Sequence, residues 1–189
     1  MGGLKARLAS RNANKARELE YLLPSWTIAP LVAEDYPPEN GATYYDNARG
    51  KALFGRARAL EGEWAIGEDS GIEVDALGGG PGVHSARSGG TDPVGWLLRE
   101  LGGVEERGAR YVSELVLVSP SGEEFRGTGT LEGRIGGEAR GTEGFGFDPV
   151  FIPKGRDQTV AELGNEWKRE NSHRANAARA LLEALGETC

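Results

Sequence analysis

The chain has 189 residues, a formal net charge of −7 and 38% hydrophobic residues, ordinary values for a soluble globular protein of one domain. The acidic balance argues against a broad nucleic-acid-binding surface, because such surfaces are usually basic. Cys189 is the only cysteine, which excludes an internal disulfide framework and a cysteine-based metal site. No apolar run is long enough to cross a bilayer, and the N-terminal residues lack the apolar region of a signal peptide. We therefore expect a cytoplasmic protein without membrane or nucleic-acid partners.

Apolar periodicity and turn-forming residues divide the first half of the chain into short strands and helices. The predicted elements are a strand over 4–9, a helix over 14–23, a strand over 26–31, a helix from Thr43 to about Glu61, and strand pieces over 65–67 and 72–77. Thr43 is a favourable N-cap residue for its helix. The sequence Asp69-Ser70-Gly71 is interpreted as a turn between the two strand pieces.

The second half continues with a glycine-rich loop, a hairpin and a long final helix. The predicted elements are a loop over 78–90, a helix from about 93 to 101, strands over 110–118 and 123–130, a short extended segment at Ile135, a strand over 150–152, and a helix over 165–185. Asp92 followed by Pro93 is typical of a helix start. The mixture of αβ units with an antiparallel hairpin favours an α/β or α+β fold around a mixed sheet. No segment resembles a linker, so residues 1–189 are predicted to form a single domain.

The turn between the first strand and the first helix is a candidate anion site. It carries Ser10, Asn12, Asn14 and Lys15. A helix N-terminus offers free N–H groups to an anion, and Lys15 adds a positive charge. An ordinary helix capped by asparagine explains these residues equally well. No Walker A motif occurs in the chain, which excludes a P-loop site.

Four carboxylates are candidates for holding a divalent cation, namely Glu39, Asp46, Glu68 and Asp69. Mg²⁺ prefers oxygen ligands, and proteins usually hold it with one or two carboxylates together with substrate phosphates. Glu68 and Asp69 are adjacent at a predicted strand end, which suits a metal ion or an oriented water molecule. A solvated acidic turn is the alternative interpretation.

Residues 78–87 form a stiff loop, rich in glycine, that ends near Ser85 and Arg87. The forked guanidinium group of Arg87 is suited to a phosphate. Taken in isolation, a connecting loop with a solvent-facing arginine explains this segment better.

Two phenylalanines alternate with glycines in Gly144-Phe145-Gly146-Phe147-Asp148. Aromatic rings between glycines can present a flat face on which a purine base stacks, typically for about 1–3 kcal/mol per base. Packing of both rings in the hydrophobic core is the alternative.

A basic cluster lies on the predicted last helix. Lys168 and Ser172 are four residues apart and would share one helix face, and Arg169 and His173 would share the next face. Lys168, His173 and Arg174 are suited to contacts with a base carbonyl and with phosphates, whereas a solvated basic face is the alternative. Together the segments supply phosphate donors, metal-binding carboxylates and aromatic rings, a combination that indicates a nucleotide site.

The order of these segments resembles that of the inosine triphosphate pyrophosphatase family, the Ham1-like or RdgB-like pyrophosphatases of non-standard purine nucleotides. The matching stretches are ASRNANKARELEYLL, PENGATYYDNARGKA, GEDSGIEVDALGGGPGVHSAR, GFGFDPVFIPKGRDQTVAEL and the segment that carries Lys168 and SHR. They follow the family's order and cover nearly the whole chain. The combination of DSG-x-x-V-x-A-L-G-G-x-P-G with GFG-x-DP and SHR is highly specific.

This resemblance implies a fold and an activity. The implied fold is an elongated α/β structure of two lobes, with a central mixed β-sheet flanked by helices and an active-site cleft between the lobes, and the usual assembly is a homodimer. The implied activity is Mg²⁺-dependent hydrolysis of the α–β phosphate bond of ITP, dITP or XTP, which gives the monophosphate and pyrophosphate. A pyrophosphatase for pyrimidine or other modified nucleotides, and a nucleotide-binding regulator without catalysis, are the alternatives.

The resemblance also implies roles for individual residues. Asp69 is expected to be the general base or to orient the attacking water, and Glu39 and Asp69 are expected to bind Mg²⁺ with help from Glu68. The residues implied for the triphosphate path are Ser10, Asn12, Asn14, Lys15, Lys51, Ser70 and Arg87. Those implied for the base and nearby phosphate are Phe145, Gly146, Phe147, Asp148, Lys168, His173 and Arg174. Donors from Lys168 or Arg174 would pair with the 6-carbonyl of inosine or xanthosine, which adenine lacks.

The chain departs from the family's usual residues at several positions of the expected site. The departures are Ser10-Arg11 for Thr-Gly, Asp46 for Glu, Glu68 for Asp, His84 for Tyr, and Phe147 for Tyr or Trp. Phe147 can still stack on a base but cannot donate a hydrogen bond to it.

Overall fold

The structure, a computed structural model, describes residues 4–186, and Cys189 lies outside them. Its elements in chain order are β1 (Leu4–Leu8), α1 (Ala13–Leu22), β2 (Trp26–Pro30), α2 (Tyr44–Arg56), β3 (Trp64–Val74), β4 (Gly80–Pro81), α3 (Pro93–Glu100), β5 (Gly108–Val118), β6 (Glu124–Ile135), β7 (Phe151–Pro153), α4 (Val160–Asn171) and α5 (His173–Ala184). The predicted starts of two helices are confirmed, because Thr43 caps α2 and Asp92, followed by proline, caps α3. No helix in this part of the chain combines the length and the apolar composition needed to cross a bilayer.

The strands of residues 4–186 form one mixed sheet in the order β2-β1-β3-β5-β6-β7, with β4 paired to β3. β1 runs parallel to both β2 and β3, so that Leu4 lies opposite Trp26 and Ala6 lies opposite Trp64. β4 is antiparallel to β3, and β7 is antiparallel to β6. The expected α/β fold with a central mixed sheet and flanking helices is therefore confirmed.

The described chain divides into two compact units that alternate along the sequence. Unit 1 contains residues 4–69, 113–129 and 174–186, and unit 2 contains residues 70–112 and 130–173. The strands β3, β5 and β6 each contribute residues to both units.

Each unit has a hydrophobic core of its own. One cluster of unit 1 joins α1 and α5 to the sheet through Leu19, Ala177, Leu181, Leu8, Ile66, Leu115 and Leu117. A second cluster of unit 1 joins α2 to the sheet through Ala48, Ala52, Val116 and Val118. Because alternate residues of β5 enter the two clusters, α1 and α5 cover one face of this part of the sheet and α2 covers the other. The core of unit 2 includes Ile72, Val74, Leu97, Tyr111, Ile135, Phe147, Phe151 and Val160.

The prediction of a helix that reaches Glu61 is wrong, because α2 ends at Arg56. Beyond this helix the chain turns towards β3, and Glu63 at the end of the turn pairs with Arg7 of β1 at 2.8 Å. The Leu60 N–H also donates to the Glu63 carboxylate at 3.0 Å. These contacts hold the turn in place of further helical hydrogen bonds.

The predicted turn at Asp69-Ser70-Gly71 is also wrong, because β3 is continuous from Trp64 to Val74. Sheet pairing overrides the local turn propensity here, and the polar side chains find hydrogen-bond partners within the fold. Lys51, for example, donates to the Asp69 carboxylate. In the same way, Ile135 is the last residue of β6 and not a separate segment.

The predicted final helix over 165–185 is in fact two helices. α4 begins earlier, at Val160, because Thr159 and Glu162 form a reciprocal capping box. Its helical backbone is broken at Gly164 (φ +86°, ψ 175°), so the predicted start at 165 coincides with the start of the second segment of α4. It ends before Ser172, whose backbone is extended, and α5 begins at the next residue, His173. Lys168 and Ser172 therefore do not share a helix face, and neither do Arg169 and His173.

Candidate functional site

Two neighbouring residues of β3, Glu68 and Asp69, organise the charged groups of unit 1. Successive side chains of a strand point to opposite faces of the sheet. The Glu68 side chain contacts α1 and α5, whereas the Asp69 side chain contacts α2. The two carboxylates diverge and do not form the adjacent pair expected from the sequence.

The Glu68 carboxylate is fully buried and is held by two cations. Its Oε2 lies 2.6 Å from the Lys15 ammonium, and its Oε1 accepts from Arg174 Nη2 at 2.9 Å. Ser113 donates to the same Oε1 at 3.3 Å, and Arg174 also pairs with Glu18. Burial acts to raise the pKa of Glu68, but the charges of Lys15 and Arg174 outweigh it and hold this pKa well below its usual range.

This arrangement changes the interpretation of Glu68 and Arg174. The Arg174 side chain is only 1% exposed, and its guanidinium is bound by two carboxylates of unit 1. The Glu68 oxygens are likewise directed at cations of unit 1. The structure therefore brings both residues together as a buried ion pair, with Lys15 as the third member.

The Asp69 carboxylate is buried on the other face of β3 and both of its oxygens accept hydrogen bonds. Oδ1 accepts from Lys51 Nζ at 2.8 Å, and Oδ2 accepts from Asn47 Nδ2 at 3.1 Å. The Lys51 ammonium also pairs with Glu39 and donates to the Glu68 carbonyl at 3.0 Å. Burial raises the pKa of Asp69 above its usual value, although the charge of Lys51 opposes the shift.

Two of the predicted metal ligands converge on one cationic atom. The Glu39 and Asp69 carboxylates both contact Lys51 Nζ, so oxygen donors from the loop before α2 and from β3 meet at one point. Asp46 does not join them, because its carboxylate closes the capping box of α2 with Thr43. Within residues 4–186 there is no cluster of three or more His, Cys, Asp or Glu that could hold a metal by itself. A pair of carboxylates matches an Mg²⁺ ion whose coordination is completed by phosphates and water.

α2 packs closely against β3, and this packing places the side chains of Asn47 and Lys51 beside Asp69. Asn47 and Lys51 are one turn apart on the same face of α2. That face lies against Gly67 of β3, where a Cβ atom would stand 2.0 Å from the Ala48 carbonyl oxygen and 2.5 Å from the Ala52 nitrogen. Any larger residue at position 67 would therefore push the helix away from the strand.

We expect Gly67→Ala to lower the free energy of unfolding by at least about 2 kcal/mol, because the added methyl group overlaps backbone atoms that cannot move aside cheaply. Urea unfolding measures this change. The matched control is Gly50→Ala on the open side of α2, where no atom lies within 4 Å of the added Cβ. That variant should gain about 0.5–1 kcal/mol from improved helix propensity. Equal stability of the two variants would contradict the packing described for Gly67.

The first strand–helix turn is built by local hydrogen bonds. The Asn12 side chain accepts from the backbone N–H groups of Asn14 and Lys15 at 3.0 and 3.3 Å, so it is the N-cap of α1. The Ser10 hydroxyl accepts from the Asn12 N–H at 3.1 Å. The expected asparagine cap is present, and the N-terminal end of α1 remains exposed at Asn14.

The predicted base-binding residues of unit 2 meet around the buried carboxylate of Asp148. Its Oδ2 accepts from Lys168 Nζ and from the Phe145 N–H, both at 2.8 Å. Its Oδ1 accepts from the Tyr111 hydroxyl at 3.2 Å. The Lys168 ammonium stands 4.4 Å from the centre of the Phe145 ring, within the range of a cation–π contact. His173 stacks on Tyr111 with ring centroids 4.5 Å apart.

The two phenylalanines have different environments. Phe147 is buried in the core of unit 2, so the core-packing alternative holds for this ring. Phe145 is half-buried beneath Lys168, and Gly146 between them is exposed with φ +63°. The flat face expected from this segment is therefore that of Phe145 and not that of Phe147.

The remaining residues that were predicted to contact phosphate lie in β3 and in the loop after it. Ser70 is half-buried in β3, and Arg87 is exposed with its guanidinium 3.1 Å from His84 Nδ1. Ser85 has a structural role, because its hydroxyl donates to the Gly82 carbonyl at 2.6 Å and accepts from the Ile72 N–H at 2.9 Å.

Asn47 and Tyr111, which contact Asp69 and Asp148, are residues of the candidate site that were not predicted from the sequence. Asn47 could have been found from its position one turn before Lys51 on the same helix. Tyr111 carried only the signal of an aromatic residue in a strand, which is most often a core residue.

The chain matches the family described as the Ham1 family over residues 6–184. A dITP/XTP pyrophosphatase of Thermus thermophilus is 47% identical over 194 residues, covering 96% of this chain and 92% of the relative. A dITP/XTP pyrophosphatase of Gloeobacter violaceus is 41% identical over 179 residues, covering 93% and 91%. Among solved structures, the Ham1 protein of Staphylococcus aureus has a TM-score of 0.83 at 33% identity, covering 96% and 98% of the two chains. A HAM1 protein of Coxiella burnetii has a TM-score of 0.82 at 31% identity, covering 98% and 100%.

Proposed function

The chain belongs to the Ham1 family, and from this premise we propose that it is a nucleoside triphosphate pyrophosphatase. Its substrates are non-standard purine triphosphates, ITP, dITP and XTP, and its products are the monophosphate and pyrophosphate. The names of relatives that align along nearly their whole length support this substrate class. Hydrolysis removes such nucleotides from the nucleotide pool.

The observation that carries the proposal is the buried Asp69 carboxylate with fixed partners on both oxygens. A carboxylate whose pKa is raised by burial is a better proton acceptor than an ordinary surface aspartate. In the proposed reaction, Asp69 orients a water molecule and accepts its proton as the oxygen attacks the α-phosphorus. The bond from this phosphorus to the α–β bridging oxygen breaks, and pyrophosphate leaves with the electron pair.

Mg²⁺ fits the oxygen donors of unit 1. We assign its binding to Glu39 and Asp69, because both carboxylates already converge on a single positive charge, that of Lys51. The bound ion supplies charge neutralisation for the triphosphate. Glu68 is left out of the ligand set, because its carboxylate points to the opposite face of β3 and is held by Lys15 and Arg174.

The triphosphate contacts proposed for this chain are Ser10, Asn12, Asn14, Lys15, Lys51, Ser70 and Arg87. The exposed N-terminal end of α1 supports Ser10, Asn12, Asn14 and Lys15 as phosphate contacts, because the positive end of the helix dipole favours an anion. Lys51 is supported by its buried position beside Asp69, where neighbouring carboxylates outweigh burial and keep its pKa above the usual value.

The base contacts proposed for unit 2 are Phe145, Gly146, Asp148, Lys168 and His173. Lys168 supplies a donor for the 6-carbonyl of the base, and Asp148 holds the ammonium in place at 2.8 Å. Phe147 supports this loop from the core. Arg174 does not contact the base in this proposal, because Glu68 and Glu18 bind its guanidinium.

We expect Lys168→Met to lower kcat/KM for ITP by about 10- to 100-fold, the value of one hydrogen bond from a charged donor. Activity on ATP, which lacks the 6-carbonyl, should change far less, so the preference for ITP over ATP shrinks. Steady-state kinetics on both nucleotides measure the ratio. Lys154→Met, at an exposed position of unit 2, is the control and should keep the wild-type ratio. An unchanged ratio in a folded Lys168→Met protein would remove Lys168 from base selection.

A substrate panel tests the proposed function as a whole. ITP, dITP, XTP, the four common ribonucleoside triphosphates and modified pyrimidine triphosphates are compared with and without Mg²⁺, and pyrophosphate and orthophosphate are measured in parallel. We expect Mg²⁺-dependent pyrophosphate release that is fastest with the non-standard purines. Preference for a pyrimidine nucleotide would favour the related pyrophosphatase activity, and binding without turnover would favour a regulator.

The same proposal includes a homodimer in the cytoplasm, as the family resemblance implies. Light scattering coupled to size-exclusion chromatography tests the assembly, and a mass of one chain at micromolar concentration would contradict it.

A further inference from the structure

Asn47 is a buried polar residue of α2 that the roles assigned above do not include. It is 5% exposed and lies one helical turn before Lys51. Its Nδ2 donates to Asp69 Oδ2 at 3.1 Å, and its Oδ1 accepts from the Gly41 N–H at 2.8 Å. One side chain thus connects the proposed general base to the loop that precedes α2.

The chemistry of the partners fixes the orientation of this amide. A backbone N–H can only donate, and an ionised carboxylate can only accept. The oxygen of Asn47 must therefore face Gly41 and its nitrogen must face Asp69. Aspartate at position 47 would keep the acceptor but lose the donor, and alanine would lose both.

The loop side of this connection is tightly packed. A Cβ atom at Gly41 would stand 2.7 Å from Asn47 Oδ1 and 2.6 Å from Asp46 Cβ. Gly41 is two residues after Glu39, whose carboxylate contacts Lys51 together with Asp69. Asn47 and Lys51 therefore tie the same loop to the same carboxylate by two separate routes.

We propose that Asn47 is a positioning residue, which fixes the Asp69 carboxylate and the Glu39 loop in one arrangement for water attack and metal binding. This inference rests on the proposed function, because it assigns no chemistry to Asn47 itself. Lys51 restrains one oxygen of Asp69, and Asn47 prevents the carboxylate from rotating about that contact. Loss of such positioning typically costs about 10²-fold in rate when the reacting groups shift by about 1 Å.

The test compares Asn47→Ala and Asn47→Asp with the wild type and with Asn165→Ala, a control at an exposed position of α4. We expect both Asn47 variants to lower kcat for ITP by about 10- to 100-fold, with a smaller change in KM. The second readout uses the metal-free protein, in which amide hydrogen exchange reports the Gly41 N–H. Exchange at Gly41 should accelerate in Asn47→Ala, and it should stay protected in Asn47→Asp, which keeps the acceptor.

The two readouts separate positioning from general stability. A purely structural Asn47 would change the unfolding temperature and leave kcat per folded molecule within about twofold of the wild type, and that result would overturn the inference. Unchanged exchange at Gly41 in Asn47→Ala would overturn the connection to the loop. A wild-type protein that releases no pyrophosphate from ITP would instead overturn the proposed function, which the Asn47 variants do not test.

Discussion

Asp69→Asn should lower kcat for ITP hydrolysis by about 10²- to 10⁴-fold, the range expected when a general base is removed. Asparagine keeps the shape of the side chain but cannot take a proton from water. Folding should be preserved, because burial disfavours the Asp69 carboxylate and Lys51 keeps its contacts with Glu39 and the Glu68 carbonyl. Initial rates of pyrophosphate release and a thermal unfolding curve are the two measurements.

Asp35→Asn is the matched control for this variant. Asp35 is exposed in unit 1 and pairs at 2.6 Å with Arg58, so its loss should leave both rate and stability close to the wild type. Turnover by Asp69→Asn within about threefold of the wild type would rule out Asp69 as the proton acceptor. A large loss of stability in Asp69→Asn would show that the carboxylate also supports the fold.

The second large effect is expected for Glu68, the residue before Asp69, and it concerns the free energy of unfolding. Glu68→Gln should lower the free energy of unfolding by about 3–5 kcal/mol, because Lys15 and Arg174 lose the carboxylate that neutralises them in the interior. Urea unfolding at neutral pH measures the loss. Glu124→Gln is the control, because its pair with Arg49 is partly exposed and should be worth less than about 1 kcal/mol.

The pH dependence of unfolding provides a second test of the contribution of Glu68 to stability. The pKa of Glu68 is depressed in the folded protein, mainly because the charges of Lys15 and Arg174 overcome the effect of burial. Its contribution to stability is therefore complete above the unfolded pKa of about 4.3 and is lost as the pH falls below it. The metal-free wild type should lose stability below about pH 4 more steeply than Glu68→Gln. Parallel curves would mean that the folded and unfolded pKa values of Glu68 are similar.

The order of elements and most of their starts could be predicted because their signals are local. Thr43 and Asp92 cap the helices they were expected to cap, since a cap depends on three or four consecutive residues. The continuity of β3 could not be predicted, because Asp69-Ser70-Gly71 has turn-forming residues and only sheet pairing keeps it extended.

For the candidate site, too, local features could be predicted from the sequence and contacts between distant segments could not. The types of residue needed for phosphates, metal and base were visible in the sequence, including Lys51 and Asp148. The partner of each charge was not visible, because such pairs join segments far apart in the chain. Arg174 and Glu68 are separated by 106 positions and meet as a buried pair. From the sequence alone, Glu68 was therefore a candidate metal ligand beside Asp69. The two residues are distinguished only because successive side chains of β3 point to opposite faces of the sheet.

The central claim is that a water molecule attacks the α-phosphorus of a non-standard purine triphosphate. Hydrolysis of ITP in ¹⁸O-labelled water with Mg²⁺, followed by mass spectrometry of the products, tests it most directly. The expected result is one ¹⁸O atom in each IMP and none in the pyrophosphate released with it. Label in pyrophosphate or in orthophosphate would place the attack at another phosphorus and would contradict the mechanism.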